Sequence, residues 1–176
     1  MKNYINFVKI FEKINVNNLK FDDLIGRLPV KIIEDLKNCE QNSKHHPEGT
    51  VYQHIKQVFE FAKQFNSVDL LICSIFHDLG KIDTKKYVEK DGERKTTFHG
   101  HEDLAIDYIN KYIHLYSDLN PDIEKIKEVC SNHMRSHRYE GDEMSKNKKK
   151  KFREETKYFI DIMQFAFCDK ESRKSL

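Results

Sequence analysis

The sequence predicts an all-α fold, a single domain in which the helices pack as a bundle. Apolar residues recur at helical spacing along most of the 176 residues. The chain has only three prolines and six glycines, which argues against a loop-rich or disordered protein. Helix-capping signals precede two of the apolar runs, at Thr50 with Gln53 and at Ser67. These three observations together indicate helices that share one core.

The composition limits the classes of function. Charged residues make up 34% of the chain, hydrophobic residues make up 38%, and the formal net charge is +2. So small a net charge creates no strong field that would require a nucleic acid or a membrane as partner. The stretch 1–11 is too polar for a signal peptide, and no apolar run approaches the length of a membrane span. The four cysteines show no close-pair spacing, so we expect buried, reduced thiols in a cytoplasmic protein.

The segment 1–44 is predicted to form an N-terminal helical layer that packs against the rest of the domain. It contains no histidine, so we expect no chemistry there. Helical spacing indicates a first helix over 4–14, a short second segment ends at Gly26, and Pro29 suits the first turn of a third helix. Residues 45–176 would form the helical core of the same domain. The apolar side of the third helix would comprise Val30, Ile33 and Leu36.

The middle of the chain contains the most apolar predicted helix. It covers 68–79 and is apolar on nearly every side, so we expect it at the centre of the bundle, with Gly80 ending it. Periodicity is lost over 83–98, where Asp91-Gly92 indicates either a small β-hairpin or a flexible lid. The other helices are predicted over 50–65, 100–116, 121–136 and 152–169, with a polar, lysine-rich segment over 138–151.

Six residues that bind metal ions well fall on the apolar sides of five predicted helices. A histidine or carboxylate in an apolar stripe costs free energy unless something pairs with it. A single inward-facing histidine is more often a hydrogen-bonded core residue than a ligand. Six such residues instead indicate one shared partner, and one or two metal ions are the simplest partner of that kind. The residues are His54, His77, Asp78, His101, His133 and Asp169.

The order of these residues resembles that of the HD-domain metal-dependent phosphohydrolases. The segment 75–81 is similar to the apolar-His-Asp-Leu-Gly-Lys signature of that superfamily, and 45–54 is similar to the lead-in to its first ligand. The segments 98–102 and 132–135 resemble accessory motifs of the HD domains attached to bacterial CCA-adding tRNA nucleotidyltransferases. The resemblance covers about residues 45–170, and no part of the chain resembles a nucleotidyltransferase domain.

The resemblance implies a ligand set and an activity. The implied activity is hydrolysis of a phosphate mono- or diester, of a nucleotide or an RNA end, by a metal-activated hydroxide. A phosphorylated small molecule or nucleotide would then be the substrate, and RNA a further partner. Mixed histidine and carboxylate ligands fit Fe, Mn, Co, Ni or Zn better than Mg. The primary ligands would be His54, His77, Asp78 and Asp169, with His101 and His133 added in members that hold two metals bridged by the aspartate.

Cationic side chains near the ligands are predicted to contact the substrate. Lys81 lies one turn beyond Asp78, where it could hold a phosphate oxygen during catalysis or a neighbouring carboxylate; a solvated lysine is the alternative. Arg135 and His137 are further candidates for substrate binding, since an arginine can clamp a phosphate through two hydrogen bonds. An ion pair between Arg135 and a surface carboxylate explains that residue equally well. His99 is a weaker candidate for a general acid.

Two other functions fit the same residues. The ligand set also resembles that of di-iron inositol oxygenase, which shares the Leu-Gly-Lys continuation, so an oxygenase on this scaffold is one alternative. The lysines between 146 and 151 indicate another, a non-catalytic, metal-stabilised module that binds RNA or nucleotides. The sequence does not specify the substrate, the number of metal ions or the oligomeric state.

Overall fold

Helices make up most of the structure, a computed structural model that describes residues 14–90, 92–141 and 143–173. The predicted all-α fold is confirmed. The helix predicted over 4–14 lies almost wholly outside the described residues. The α-helices are α1 (Phe21–Ile25), α2 (Val30–Asn38), α3 (Val51–Ala62), α4 (Val68–Phe76), α5 (Lys81–Thr84), α6 (His101–Tyr112), α7 (Ile123–Glu140), α8 (Lys146–Glu155) and α9 (Phe159–Ser172). Short 3₁₀ helices lie at Val16–Asn18, Lys63–Phe65 and Ile113–Leu119.

Helix α4 lies at the centre of the core, as its composition predicts. Every residue from Leu70 to Phe76 is buried. The helix packs against α3, α6, α7 and α9, and the large side chains of Phe59 and Phe165 are fully buried in the same core. A helix enclosed on all sides has little freedom to move. The residues that follow its last turn are therefore fixed in space.

The first turns of α3 and α4 have the predicted caps. The side chain of Thr50 accepts a hydrogen bond from the backbone N–H of Gln53 at 3.3 Å. The side chain of Ser67 does the same for Leu70 at 3.4 Å. Each cap satisfies one backbone donor that the helix leaves unpaired. The caps fix where both helices begin, and hence which residues of α3 face α4.

Helix α4 ends at Phe76, before the predicted end at Leu79. The backbone tightens there, since the N–H of Leu79 donates to the carbonyl of Phe76 at 3.2 Å, which is a 3₁₀-type hydrogen bond. His77 and Asp78 therefore lie in a tight turn at the end of the buried helix. In a regular helix, adjacent side chains point about 100° apart. In this turn, the side chains of His77 and Asp78 can reach the same region of the core.

The segment after α5 is a β-hairpin, which was one of the two predicted alternatives. Strands β1 (Lys86–Lys90) and β2 (Glu93–Thr97) pair antiparallel, with Lys86 opposite Thr97. Gly92 in the connecting turn has a φ of +77°, a conformation that glycine adopts without steric cost. The second strand leads directly to the cavity beside the candidate site.

The predicted helix over 152–169 is wrong in its extent, because two helices occupy this region. Ser145 caps α8 by accepting a hydrogen bond from the backbone of its first turn at 3.5 Å. Thr156 ends α8 with extended backbone angles, φ −101° and ψ 114°. Its hydroxyl donates to the carbonyl of Phe152, and such a local bond competes with the helical pattern. The lysine-rich run is therefore helical, as the first half of α8.

The N-terminal layer packs on α3 and α4, although the prediction that Val30 belongs to the buried side of α2 is wrong. Val30 is 70% exposed, whereas Ile32 and Leu36 of α2 are buried. Pro29 is the cap of α2 and precedes its first residue, and the pair Ile32 and Leu36, one turn apart, sets the buried face. The domain boundary near residue 44 remains a prediction.

Two further findings concern helix length and cysteine burial in the described residues. None of the described helices combines the length and the apolar character needed to cross a bilayer. The four cysteines are free and buried. Their burial agrees with the prediction of reduced structural thiols.

Candidate metal centre

The structure brings the six predicted ligand residues together in the interior of the bundle. His54 comes from α3, His133 from α7 and Asp169 from α9, while His101 is the first residue of α6. The turn after α4 contributes the remaining two residues, His77 and Asp78. All six are almost fully buried, with at most 4% of the residue surface exposed.

Asp78 lies between two pairs of histidines. Its Oδ2 atom is 3.5 Å from Nε2 of His54 and 3.4 Å from Nε2 of His77. Its Oδ1 atom is 3.3 Å from Nε2 of His101 and 3.7 Å from Nε2 of His133. Within each set of three, the candidate ligand atoms lie within 4.8 Å of one another. We call His54, His77 and Asp78 the first triad, and Asp78, His101 and His133 the second triad.

Hydrogen bonds fix the orientation of three of these imidazole rings. His77, His101 and His133 each direct Nδ1 at the backbone carbonyl three residues earlier in the chain. A carbonyl accepts hydrogen bonds only, so Nδ1 is the protonated nitrogen and a neutral ring keeps its lone pair on Nε2. This arrangement is typical of metal-binding histidines. The carbonyls are those of Ser74, Phe98 and Cys130, at 3.0, 2.8 and 2.6 Å.

The unpaired atoms of the first triad fit a cation. Nε2 of His54, Nε2 of His77 and Oδ2 of Asp78 are buried and make no hydrogen bond within the described part of the chain. An unsatisfied buried polar atom costs about 1–3 kcal/mol. One ion bound by these atoms would satisfy all three, so the residues present suit a divalent transition metal.

The second triad fits a cation for a related reason. Nε2 of His101 and Nε2 of His133 lie 3.0 Å apart. Because both rings donate through Nδ1, two lone pairs would face each other across this distance unless one Nε2 is protonated. Burial lowers the pKa of His133 to about 3, and repulsion from His77 acts in the same direction. His133 is therefore neutral near pH 7 and available as a ligand.

Asp169 lies against the first triad. Its Oδ1 atom is 3.0 Å from Nε2 of His54 and accepts a hydrogen bond from Nη2 of Arg173 at 2.6 Å. Its Oδ2 atom is 2.5 Å from Nε2 of His137. Burial acts to raise the pKa of Asp169, but Arg173 and the hydrogen bond from His137 hold that pKa well below its ordinary value. The carboxylate is therefore ionised and ready to bind a cation.

Lys81 is buried beside Asp78 and is not a solvated lysine. Its Nζ atom lies 2.7 Å from Oδ2 of Asp78, as an ion pair without hydrogen-bond geometry, and donates to Oε1 of Gln41 at 2.7 Å. Burial would raise the pKa of Asp78, but attraction to Lys81 and His77 outweighs it and holds that pKa well below its usual range. Lys81 thus keeps the shared carboxylate of Asp78 charged.

A cavity of about 480 Å³ opens beside the second triad. The hairpin and the segment after it contribute Thr96, Phe98 and His99 to its wall, and Lys81 and Arg173 also reach it. Ligand cavities in proteins span about 300–1,000 Å³. The space next to Asp78 is therefore large enough for a small phosphorylated molecule.

Two predicted substrate contacts lie elsewhere. The guanidinium group of Arg135 stacks over the ring of Phe152, 4.3 Å from its centroid, and faces a separate surface cavity. His137 contacts Asp169, as described above, and is not among the described residues that line the cavity. Substrate binding by Arg135 or His137 therefore remains a prediction without geometric support.

The sequence interpretation missed Glu48 and Arg173. The side chain of Glu48 is fully buried, and its Oε1 atom lies 2.8 Å from Nδ1 of His46 and 2.9 Å from Nδ1 of His54. A turn in which Gly49 has a φ of +90° returns Glu48 to the start of α3. The signal available in the sequence was a carboxylate in the turn before a candidate ligand helix.

The comparisons with known proteins agree with this geometry. A family model described as the HD domain matches residues 51–164, which is more than half of the chain. This segment contains both triads, and Asp169 lies just beyond it. No curated protein and no solved structure matches the chain. From the matched segment and the shared aspartate between two histidine pairs, we conclude that the chain belongs to the HD-domain family.

Proposed function

We propose that the protein is a metal-dependent phosphohydrolase that cleaves a phosphate mono- or diester of a nucleotide or an RNA end. HD domains are generally metal-dependent hydrolases. The proposal rests chiefly on one observation, which is that Asp78 is shared by two pairs of histidines whose Nε2 atoms face it. Such a bridging carboxylate suits two ions that act on one phosphoryl group.

The first triad with Asp169 would hold one ion, and the second triad would hold the other. Bound Fe, Mn, Co, Ni or Zn ions would supply Lewis acidity, which activates water and neutralises phosphoryl charge. Asp78 contributes a carboxylate that Lys81 keeps ionised. Lys81 also faces the cavity, where its ammonium group can stabilise negative charge on a phosphoryl oxygen.

The wall of the cavity supports a substrate larger than inorganic phosphate. Phe98 lies on this wall with its ring centroid 5.4 Å from Nζ of Lys81, so an apolar surface adjoins the cationic group. His99 lies on the same wall, where it could protonate a leaving oxygen. This combination suits an ester whose leaving group carries a base or another flat ring.

We also propose that this chain is related to the HD domains attached to bacterial CCA-adding tRNA nucleotidyltransferases. The support is the pair of sequence motifs at 98–102 and 132–135, which contain His101 and His133 of the second triad. RNA with a terminal phosphate therefore belongs among the first substrates to test. A cytoplasmic location is proposed on the four free, buried cysteines.

The test combines metal content with a screen for phosphoester hydrolysis. Protein purified without a histidine tag or chelator is measured by inductively coupled plasma mass spectrometry, as wild type, Asp78→Ala and Asp107→Ala. We expect about two equivalents of metal in the wild type. In Asp78→Ala we expect loss of most metal and of all hydrolysis of aryl phosphates, nucleotides and phosphorylated RNA ends. Asp107 is exposed on α6, so its variant should match the wild type.

Other outcomes would contradict the proposal. Full hydrolysis by both His77→Ala and Asp78→Ala would show that the activity arises elsewhere. Oxygen uptake by the iron-loaded protein, without hydrolysis of any ester, would identify the oxygenase alternative. Salt-dependent RNA binding without hydrolysis under several metals would identify a binding module.

A further inference from the structure

We infer that Arg173 is a phosphate-binding residue of this site, where it acts with Lys81 on the phosphoryl group of the substrate. This inference rests on the proposed function, because it names the side chains that hold the reacting group. Arg173 follows the last turn of α9, one helical turn after Asp169. No sequence motif singled it out.

The position of Arg173 joins the metal centre to the cavity. Its Nη2 atom donates to Oδ1 of Asp169 at 2.6 Å, and its side chain, 28% exposed, also lines the cavity. Its Nε atom is buried and has no hydrogen-bond partner among the described residues. A guanidinium group has five N–H donors, so one bond to a carboxylate oxygen leaves donors for a ligand in the cavity.

The charges around Arg173 favour an anion once metal is bound. Without metal, the carboxylates of Glu48, Asp78 and Asp169 are balanced in large part by the cations Lys81 and Arg173. Two divalent ions would reverse this balance and leave an excess of positive charge. A phosphate group neutralises that excess. Lys81 and Arg173, beside the metal ligands, therefore predict an anionic ligand in the metal-loaded protein.

Arg173 also shares a carboxylate oxygen with the predicted metal ligand set. Oδ1 of Asp169 faces both Nη2 of Arg173 and Nε2 of His54, so an ion held by His54 and Asp169 would lie close to the guanidinium group. Repulsion between these two cations is relieved when a phosphoryl oxygen lies between them. The planar fork of an arginine matches two phosphate oxygens.

A purely structural role would explain less of this geometry. His137 already holds the other oxygen of Asp169 at 2.5 Å, so the carboxylate has a second anchor. A residue that only oriented Asp169 would gain nothing from facing the cavity, whereas a phosphate-binding residue must do so. Lys81 reaches the same cavity. The two cations would therefore contact one phosphate from different elements.

The test measures binding of inorganic phosphate, by isothermal titration calorimetry, to the metal-loaded protein. In Arg173→Gln we expect phosphate binding to weaken about tenfold or more, the usual effect of losing a charge-assisted hydrogen bond, with unchanged metal content. Arg173→Lys should recover part of the loss. The control is Arg153→Gln, which removes the same charge from an exposed position on α8 and should bind phosphate like the wild type.

Three results would overturn the inference. The first is wild-type affinity for phosphate in Arg173→Gln, and the second is no phosphate binding by the metal-loaded wild type. The third is a parallel loss of metal and phosphate in both Arg173 variants, which would mean that the residue acts only through Asp169. Arg173-dependent phosphate binding without hydrolysis of any ester would support the inference and contradict the proposed function.

Discussion

Glu48 shows how a residue without a motif of its own can determine the chemistry of a neighbour. Burial disfavours its charge, but the hydrogen bond from His46 and the close contact with His54 outweigh that effect and lower the pKa of Glu48. The carboxylate is therefore charged and holds Nδ1 of His54, which leaves Nε2 directed at Asp78. A carboxylate behind a histidine ligand fixes its tautomer and raises its basicity.

Glu48→Gln is expected to weaken metal binding about 10- to 100-fold, the range seen when such a supporting group is lost. The amide keeps the size of the side chain but not the charge that raises the basicity of His54 at Nε2. The measurement is a competition titration with a metal chelator of known affinity. Glu60→Gln, at an exposed position of α3, is the control. Equal affinities in wild type and Glu48→Gln would mean that the contact does not tune His54.

Single residues also show where sequence reasoning succeeds. His54, His77, Asp78 and His133 were predicted to converge because each breaks an apolar pattern with a group that needs a partner. Arg173 and Glu48 break no such pattern, since Arg173 follows a helix and Glu48 lies in a turn. Their roles depend on where the chain folds back, and periodicity does not contain that information.

Helix α6 approaches the turn after α4 more closely than a side chain would allow. A Cβ atom on Gly80 would lie 2.2 Å from the carbonyl oxygen of His101 and 2.9 Å from Cβ of Leu104. Gly80 has ordinary helical backbone angles, so this close approach, and no unusual φ, explains the glycine. The contact places His101 near Asp78 and completes the second triad.

Gly80→Ala is expected to move α6 and to separate the second triad from the first. Relief of the contact requires a shift of about 1 Å, because non-bonded atoms prefer separations near 3.5 Å. We expect a loss of about 1–3 kcal/mol in the free energy of unfolding and a fall in metal content from about two equivalents to one. Chemical denaturation and mass spectrometry measure the two effects.

Gly92→Ala provides the comparison for Gly80→Ala. No atom lies within 4 Å of a Cβ added there, although its φ of +77° makes the substitution strained. This variant should lose about 1–2 kcal/mol of stability and keep both metals. If Gly80→Ala also keeps both metals, the close approach of α6 does not maintain the second triad.

Helices were predictable from the sequence where capping residues and apolar runs mark them. The caps at Thr50 and Ser67 and the continuous apolar run of α4 are local signals that predict those helices. The break between α8 and α9 was missed because neither glycine nor proline marks it. Thr156 is compatible with a helix, so no residue type at the break predicts its extended backbone.

At the scale of the whole molecule, the bundle encloses a polar centre within an apolar core. Core residues of α3, α4, α7 and α9 surround the triads, so the ligand atoms are buried except where the cavity adjoins the second triad. When no cation is present, the buried atoms of the first triad that have no hydrogen-bond partner among the described residues oppose this closure. Stability of the whole fold should therefore depend on the metal.

Metal removal gives the corresponding prediction. An ion present at about 1,000 times its dissociation constant adds about 4 kcal/mol of stability. In a domain of this size, each kcal/mol shifts the melting temperature by about 2–4 °C, so a chelator should lower it by about 10 °C. Differential scanning calorimetry with and without metal measures this shift. Lower pH should reduce it, because protons compete with the ion for the histidine nitrogens.

The variant Asp78→Asn tests whether the metal-induced rise in melting temperature depends on the shared carboxylate. The amide preserves the shape of the side chain but removes the charge that both triads share, so metal should then raise the melting temperature by only a small fraction of the wild-type shift. Asp107→Asn, exposed on α6, should retain the full shift. A full shift in Asp78→Asn would place the stabilising ion elsewhere. One aspartate faces all four histidines. Loss of its charge should therefore abolish the stabilisation of the fold by metal at both triads together.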